Sequence, residues 1–274
     1  GKAASFFEIP PFTLNFYRWF CAWLILAPFT LKEIFEKRIY ILENKILIMV
    51  LGITSITIFN SIVYYSLNFT QVITGVLMIS TIPVMIIFFS SILKTEKTSF
   101  YQILGVVFSM LGVIIIITKA NLEILIRLNF NKGDLWMIAA MFSWALYSAL
   151  LKSKKLKLSQ VSLLQTIITS GLIFLLPIYL IEGSLGYHPS LDAPFFLTLT
   201  YVVIFPGLLS FIFWIKGISI IGANRSGIFL HLMPIFSAVL AILIFKEKFM
   251  IYHLIGASFI IIGILLSNKT NQHA

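Results

Sequence analysis

The chain has 274 residues, 59% of them hydrophobic and only 11% charged, with a mean hydropathy of +1.02, whereas soluble domains carry about a quarter charged residues. An excess of 20 Lys and Arg over 10 Asp and Glu gives a net charge of +10, which in so apolar a chain belongs to loops that orient membrane helices rather than to a nucleic-acid surface. The single cysteine, Cys21, excludes an intrachain disulfide and a cysteine-rich metal site; no metal and no cofactor is expected.

Cutting the chain at charges and turn residues leaves nine apolar stretches near the roughly 20 residues that cross a 30 Å hydrocarbon layer as helix. They run Pro11 to Leu31, Ile46 to Leu67, Val72 to Leu93, Phe100 to Thr118, Asp134 to Leu151, Val161 to Ile181, Phe195 to Ile221, Ser226 to Phe245 and Met250 to Ser267. The runs are continuous and lack the alternation of a membrane barrel. Links such as "NFTQ", "KTEKTS" and "KEKF" leave no room for a soluble domain. The longer link, 119–132, carries "NLEILIRL" and is read as a short helix lying in the interface, not as a span.

Shifting the chain by 151 residues aligns Pro83 with Pro234, Glu96 with Glu247, Lys97 with Lys248, Tyr101 with Tyr252, Gly105 with Gly256, Phe108 with Phe259 and Gly112 with Gly263. Most of these matches are Pro, Gly or charged residues, which chance pairing of Ile, Leu and Phe does not supply, so the shift is read as an internal repeat. The span opening at Asp134 has its counterpart before Gly1, so a further helix is expected to precede this sequence, a nine-helix protein being the alternative. Two repeats of five spans then result, and an odd number forces the halves into opposite orientations, the inverted design of many secondary transporters.

Alternate loops divide the Lys and Arg unevenly: twelve (Lys32, Lys37, Arg38, Lys45, Lys94, Lys97, Lys152, Lys154, Lys155, Lys157, Arg225, Lys269) against six (Lys2, Lys119, Arg127, Lys132, Lys246, Lys248). The richer face is expected to be cytoplasmic, with the C-terminus on that side. No cleavable signal pattern precedes Pro11.

The segments "PPFTLNFYRWFCAWLILAPF", "TEKTSFYQILGVVFSMLGV", "KEKFMIYHLIGASFIIIGI" and "GDLWMIAAMFSWALYSALL" together resemble the EamA-type group of the drug/metabolite transporter superfamily. The resemblance implies ten helices in two inverted five-helix repeats, 1–118 and 134–270 joined by 119–133, around a central cavity, and transport of small metabolites such as amino acids. It specifies the family well and the cargo poorly.

Ionisable groups at membrane depth are few. None of the ten carboxylates lies well inside a span. His231 is the available proton relay, although a lone helical His is more often a hydrogen-bonded packing residue. Arg18 lies about 10 Å deep at 1.5 Å per residue; it reads either as an anion anchor for substrate or as a packing Arg bonded to carbonyls. Lys216 shares the anchor reading but is near enough to the inner end to snorkel. Pro83 and Pro234 occupy equivalent sites and free the carbonyls of Ile79 and Leu230, predicting paired kinks or hinges.

Polar and aromatic groups recur at helical spacing: Thr57, Asn60 and Tyr64 on the second span, Thr74, Met78 and Thr81 on the third. Trp144 and Tyr147 follow on the fifth, Trp214 on the seventh, His231 on the eighth. Interhelical packing is the competing reading for each. The substrate-contacting set is taken as Asn60, Tyr64, Met78, Thr81, Trp144, Tyr147, Trp214 and His231. Glu96 and Glu247 read as surface ion pairs with their neighbours Lys97 and Lys248, or as caps at the ends of the gate.

The expected protein is an all-α polytopic secondary transporter of a small organic metabolite in the cytoplasmic (inner) membrane, an amino acid or relative being the first candidate and a nucleotide-like or cationic cargo the next. It has the bilayer as environment and a homodimer as a possible assembly. No phosphate loop of the form GxxxxGK[ST] is present. A membrane-embedded enzyme would need acid/base, metal or nucleophile residues clustered at one depth, and no such cluster is found in the sequence; a nontransporting assembly component is the remaining class.

Overall fold

The computed structural model describes residues 9–127, 131–246 and 248–269, and these contain helices and no strand. The long helices are α1 (Pro11–Glu36), α2 (Lys45–Ser66), α3 (Ile73–Ile92), α4 (Phe100–Ile117), α5 (Lys132–Ser153), α6 (Gln160–Ser184), α7 (Ala193–Ile221), α8 (Ala223–Ile244) and α9 (Ile251–Asn268). Short helices Arg38–Glu43 and Leu122–Ile126 lie in the α1–α2 and α4–α5 links. The second of these is the short helix expected from "NLEILIRL".

Among the described residues, eight helices, α2 to α9, are long and apolar enough to cross a membrane. The first expected span, α1, is 26 residues long but falls outside that set. Asn15 and Arg18 in its first third lower its hydropathy, and both are buried in the bundle. On the outer faces Phe29, Leu197 and Leu243 are more than 70% exposed, as lipid-facing side chains are.

Helix α5 sits in the middle, packed on α2, α3, α7 and α8, while α1 lies along α6 and α4 along α9. Its start is fixed by a reciprocal cap: Asn131 accepts from the Gly133 and Asp134 amides, and the Asp134 carboxylate accepts from the Asn131 amide at 2.8 Å. Its Met137, Met141, Trp144 and Tyr147 form the centre of the main apolar core. Core formation here rests on close packing and buried polar pairing, since lipid is as apolar as the side chains.

Two antiparallel pairs frame this centre. In the first, each helix ends on a carboxylate that caps the other's start. Glu33, near the end of α1, accepts from the Ser159 amide and hydroxyl at the head of α6, and Glu182, near the end of α6, accepts from the Phe12 and Thr13 amides at the head of α1. Both acids neutralise positive helix ends. The Lys37 ammonium, 2.8 Å away, and Ser159 hold the Glu33 carboxyl down at about 2 although its partial burial opposes ionisation.

The second pair, α4 and α9, makes the most extensive helix contact among the described residues. Gly105 faces the Gly263 carbonyl and Gly112 the Gly256 carbonyl, each reciprocally, so the helices run antiparallel. A methyl added to any of the four would come within 3.0 Å of the opposing backbone. Phe108 and Phe259 stack alongside with centroids 6.0 Å apart and planes 22° from parallel. Under the 151-residue shift Phe108 thus meets its own mate, and the two glycine contacts map onto each other.

Both prolines of the repeat act as helix breaks. One helical segment ends at Ile79 and the next starts at Ile82, with Pro83 in its first turn. In α8 a 3₁₀ turn, Phe229–Leu232, precedes the segment Met233–Phe245, again with Pro234 in the first turn. Ser80 and Thr81 hydroxyls donate to the Leu77 and Met78 carbonyls, each at 2.6 Å, which gives these two acceptors at the first break a partner.

Candidate functional site

Helices α2 and α7 each contain one widened turn of π-helix, Ile53–Phe59 and Val203–Leu209, and Arg18 of α1 lies between them. Such turns leave carbonyls without an i+4 partner and recur at functional sites. In α2 the Ser55 carbonyl takes the Asn60 side-chain amide at 2.6 Å, and the Ile56 carbonyl takes that of Asn15 at 3.1 Å. In α7 the Pro206 carbonyl accepts from Arg18 Nη2 at 2.8 Å. Arg18 Nη1 donates to Asn60 Oδ1 at 2.9 Å and to the Tyr64 hydroxyl at 2.6 Å. The guanidinium also lies 4.8 Å from the Trp19 ring centroid.

Arg18 is 3% exposed, and no carboxylate lies within 4.0 Å of it among the described residues. Its charge is therefore met by three neutral oxygens and an aromatic face, and Nε alone has no partner among the described groups. The arrangement ties α1 to α2 and α7. It brings together Arg18, Asn60 and Tyr64 of the expected set but separates Thr57, which donates to the Gly171 carbonyl of α6 at 2.9 Å. The i, i+3, i+7 stripe assumed 3.6 residues per turn, and the π turn rotates Thr57 off that face.

Beside Arg18 lies an aromatic cluster centred on Trp144. Its ring centroid is 4.5 Å from Phe59, 5.2 Å from Tyr147, 5.2 Å from Phe211 and 5.4 Å from Trp214. Trp19 meets Phe211 edge-on at 4.7 Å. Trp214 Nε1 donates to the Ser148 hydroxyl at 3.2 Å, while the buried Tyr147 hydroxyl has no partner among the described groups. Trp144, Tyr147 and Trp214 thus converge as their spacing suggested. Phe59 and Phe211 escaped sequence reading because nothing local distinguishes them from other core phenylalanines.

Met78 and Thr81 are half-buried at the α3 break. His231 sits apart from the aromatic cluster, fully buried between α3 and α4. Its Nε2 lies 2.8 Å from the Ser80 carbonyl and its Nδ1 2.6 Å from the Ser109 hydroxyl. A carbonyl can only accept, so Nε2 carries the proton and Nδ1 is free to accept from Ser109. That is the hydrogen bonding of a packing histidine. Lys216 is exposed on α7, which fits the snorkelling alternative rather than an anchor beside Arg18.

Glu96 acts at a distance from its sequence neighbours. It accepts from the Ala223 and Asn224 amides at 2.9 Å each, capping α8, and lies 3.9 Å from Lys152 at the end of α5. Its ion-pair partner is therefore Lys152 instead of the expected Lys97, and its cap links the α3–α4 connection to the second half of the chain. Gly222, at φ +91°, brings the backbone against this carboxylate where a side chain would collide with it. Glu247 lies outside the described residues. The half-buried cap Glu33 and the buried cap Glu182 carry no signal in the sequence, where a carboxylate at a span end looks like any loop charge.

The EamA-like transporter family model matches residues 2–118 and 131–269. An uncharacterized transporter of Archaeoglobus fulgidus is 26% identical over 272 residues, covering 97% of this chain and 90% of that protein. The uncharacterized transporter YyaM of Bacillus subtilis is 23% identical over 232 residues, covering 85% and 76%. The uncharacterized inner membrane transporter YicL of Salmonella typhimurium is 22% identical over 185 residues, covering 67% and 60%. One solved crystal structure superimposes with a TM-score of 0.73 at 15% identity, covering 97% of this chain and 92% of that one, which shows a shared fold. A helical, multi-pass membrane protein whose relatives are named transporters, and whose two matched segments take in nearly all of its length, belongs to the EamA-like transporter family.

Proposed function

We propose that this chain moves a small organic metabolite across the cytoplasmic membrane by alternating access between two inverted repeats, 1–118 and 134–270, joined by 119–133. The observation that carries the reading is the α4–α9 contact, where Gly105 meets Gly263, Gly112 meets Gly256 and Phe108 meets Phe259. Phe108 meets its own repeat mate and each glycine meets the mate of the other, so the shift exchanges the two glycine contacts, as a two-fold relation between the halves requires. The π turns of α2 and α7 at nearly equivalent positions, and the breaks at Pro83 and Pro234, support the same relation.

The cargo site is assigned to the Trp144, Tyr147 and Trp214 cluster with Asn60, Tyr64, Met78 and Thr81 beside it. Its aromatic surface and neutral polar groups suit an amino acid or related metabolite. We assign Arg18 to packing, because its three donated bonds already go to protein acceptors. The test is substrate-driven counterflow in vesicles with a panel of amino acids, nucleotides and cofactors. Trp144→Ala should abolish exchange of whichever compound is active, and Arg18→Gln should weaken a carboxylated substrate and its amide analogue equally. Exchange untouched by Trp144→Ala would place the site elsewhere; selective loss of the carboxylated substrate would return Arg18 to it.

A further inference from the structure

A cleft of about 470 Å³ lies where the link after α5, the head of α6 and the end of α7 meet, and its lining includes no member of the aromatic cluster. Its walls are Leu151, Leu156, Leu163, Ile215 and Ile218, and Lys152, Lys154 and Lys155 also line it. Leu156 and Ile218 are buried, whereas Ile220 beside them is 68% exposed, so the cleft opens along the exposed face of α7 that carries Ile220. Lys37 is bound to Glu33 and Lys152 lies near Glu96, but Lys154 and Lys155 have no carboxylate within 4.0 Å among the described residues.

Apolar walls and unpaired ammonium groups together select an amphiphile. A free anion gains nothing from five aliphatic side chains, and a zwitterionic lipid leaves the added positive charge unbalanced. We propose that this cleft binds an anionic phospholipid, its phosphate held by Lys154 and Lys155 and one acyl chain against Leu163, Ile215 and Ile218. The richer basic face is the expected cytoplasmic one, where anionic lipids attract such clusters. Lys152 connects the cleft to Glu96, so a bound headgroup lies one side chain from the cap that joins the α3–α4 connection to α8.

The test uses the full chain purified in detergent and mixed with equimolar phosphatidylglycerol and phosphatidylcholine, with bound lipid counted by native mass spectrometry. Phosphatidylglycerol should be retained preferentially. The Lys154→Gln/Lys155→Gln pair should lower its retention by roughly 25-fold, about fivefold per lysine, without changing phosphatidylcholine. Lys154→Arg/Lys155→Arg should keep it, which separates charge loss from misfolding. Ser219→Trp, which fills the cleft and leaves every lysine in place, should also reduce retention. Equal retention of the two lipids, or retention unaffected by the double Gln variant, overturns the proposal. Undiminished binding in Ser219→Trp shows diffuse surface attraction only, and displacement by millimolar inorganic phosphate shows a free-anion site; either result also overturns it.

Discussion

Gly112→Ala should destabilise the bundle by an amount set by backbone, not by side chains. The added Cβ would lie 2.5 Å from the Gly256 carbonyl oxygen, 2.8 Å from Ile260 Cγ1 and 2.9 Å from the Ile260 amide. Ordinary contact begins at about 3.4 Å, so α4 and α9 must separate by somewhat under 1 Å, because neither backbone atom can rotate away. Overpacking of this kind costs about 1–3 kcal/mol, and the separation also weakens dispersion contacts along the whole crossing. An intrinsic gain of up to about 1 kcal/mol from replacing a helical glycine offsets part of this. A net loss near 2 kcal/mol, roughly a 30-fold shift in the folded fraction, is expected. The control is Gly183→Ala in α6, whose Cβ would meet only His188 Cε1, at 3.8 Å. Reversible unfolding of both variants in bicelles compares them directly. A Gly112→Ala variant as stable as Gly183→Ala would refute the claim that direct backbone contact holds α4 to α9.

Glu96→Ala removes the two hydrogen bonds accepted from the Ala223 and Asn224 amides at the head of α8 and should cost about 1 kcal/mol, with faster thiol labelling of a cysteine placed at Asn224; unchanged labelling would mean that the cap does not hold this face closed. Glu33, held at about 2 against an ordinary value of 4.5, adds stability that is fully present above pH 4.5 and fades as the pH falls through about 2. Thermal melts of Glu33→Gln should therefore lie below wild type near neutrality and converge with it toward pH 2. His231→Gln can still donate to Ser80 and accept from Ser109, so substrate-driven counterflow should remain largely intact; its abolition in folded protein would give this histidine a role in transport.

Much of the design is set locally and is therefore readable along the chain. Continuous apolar runs force helices because lipid cannot satisfy an open backbone, so eight of the nine expected spans reappear with ends shifted by a few residues. Glycine and proline matter through backbone geometry, which explains why the 151-residue shift found Gly105, Gly112, Pro83 and their mates without coordinates. Tertiary structure alone decided which polar groups meet. Glu96 serves a helix more than a hundred residues away, Glu33 and Glu182 cap each other's helices, and Arg18 draws on a carbonyl of α7. The π turns likewise depend on neighbours that satisfy the carbonyls they release, so Asn60 kept its predicted face and Thr57 lost it. Sequence spacing fixes where a side chain stands on its own helix; its partner is fixed by which helix packs against it.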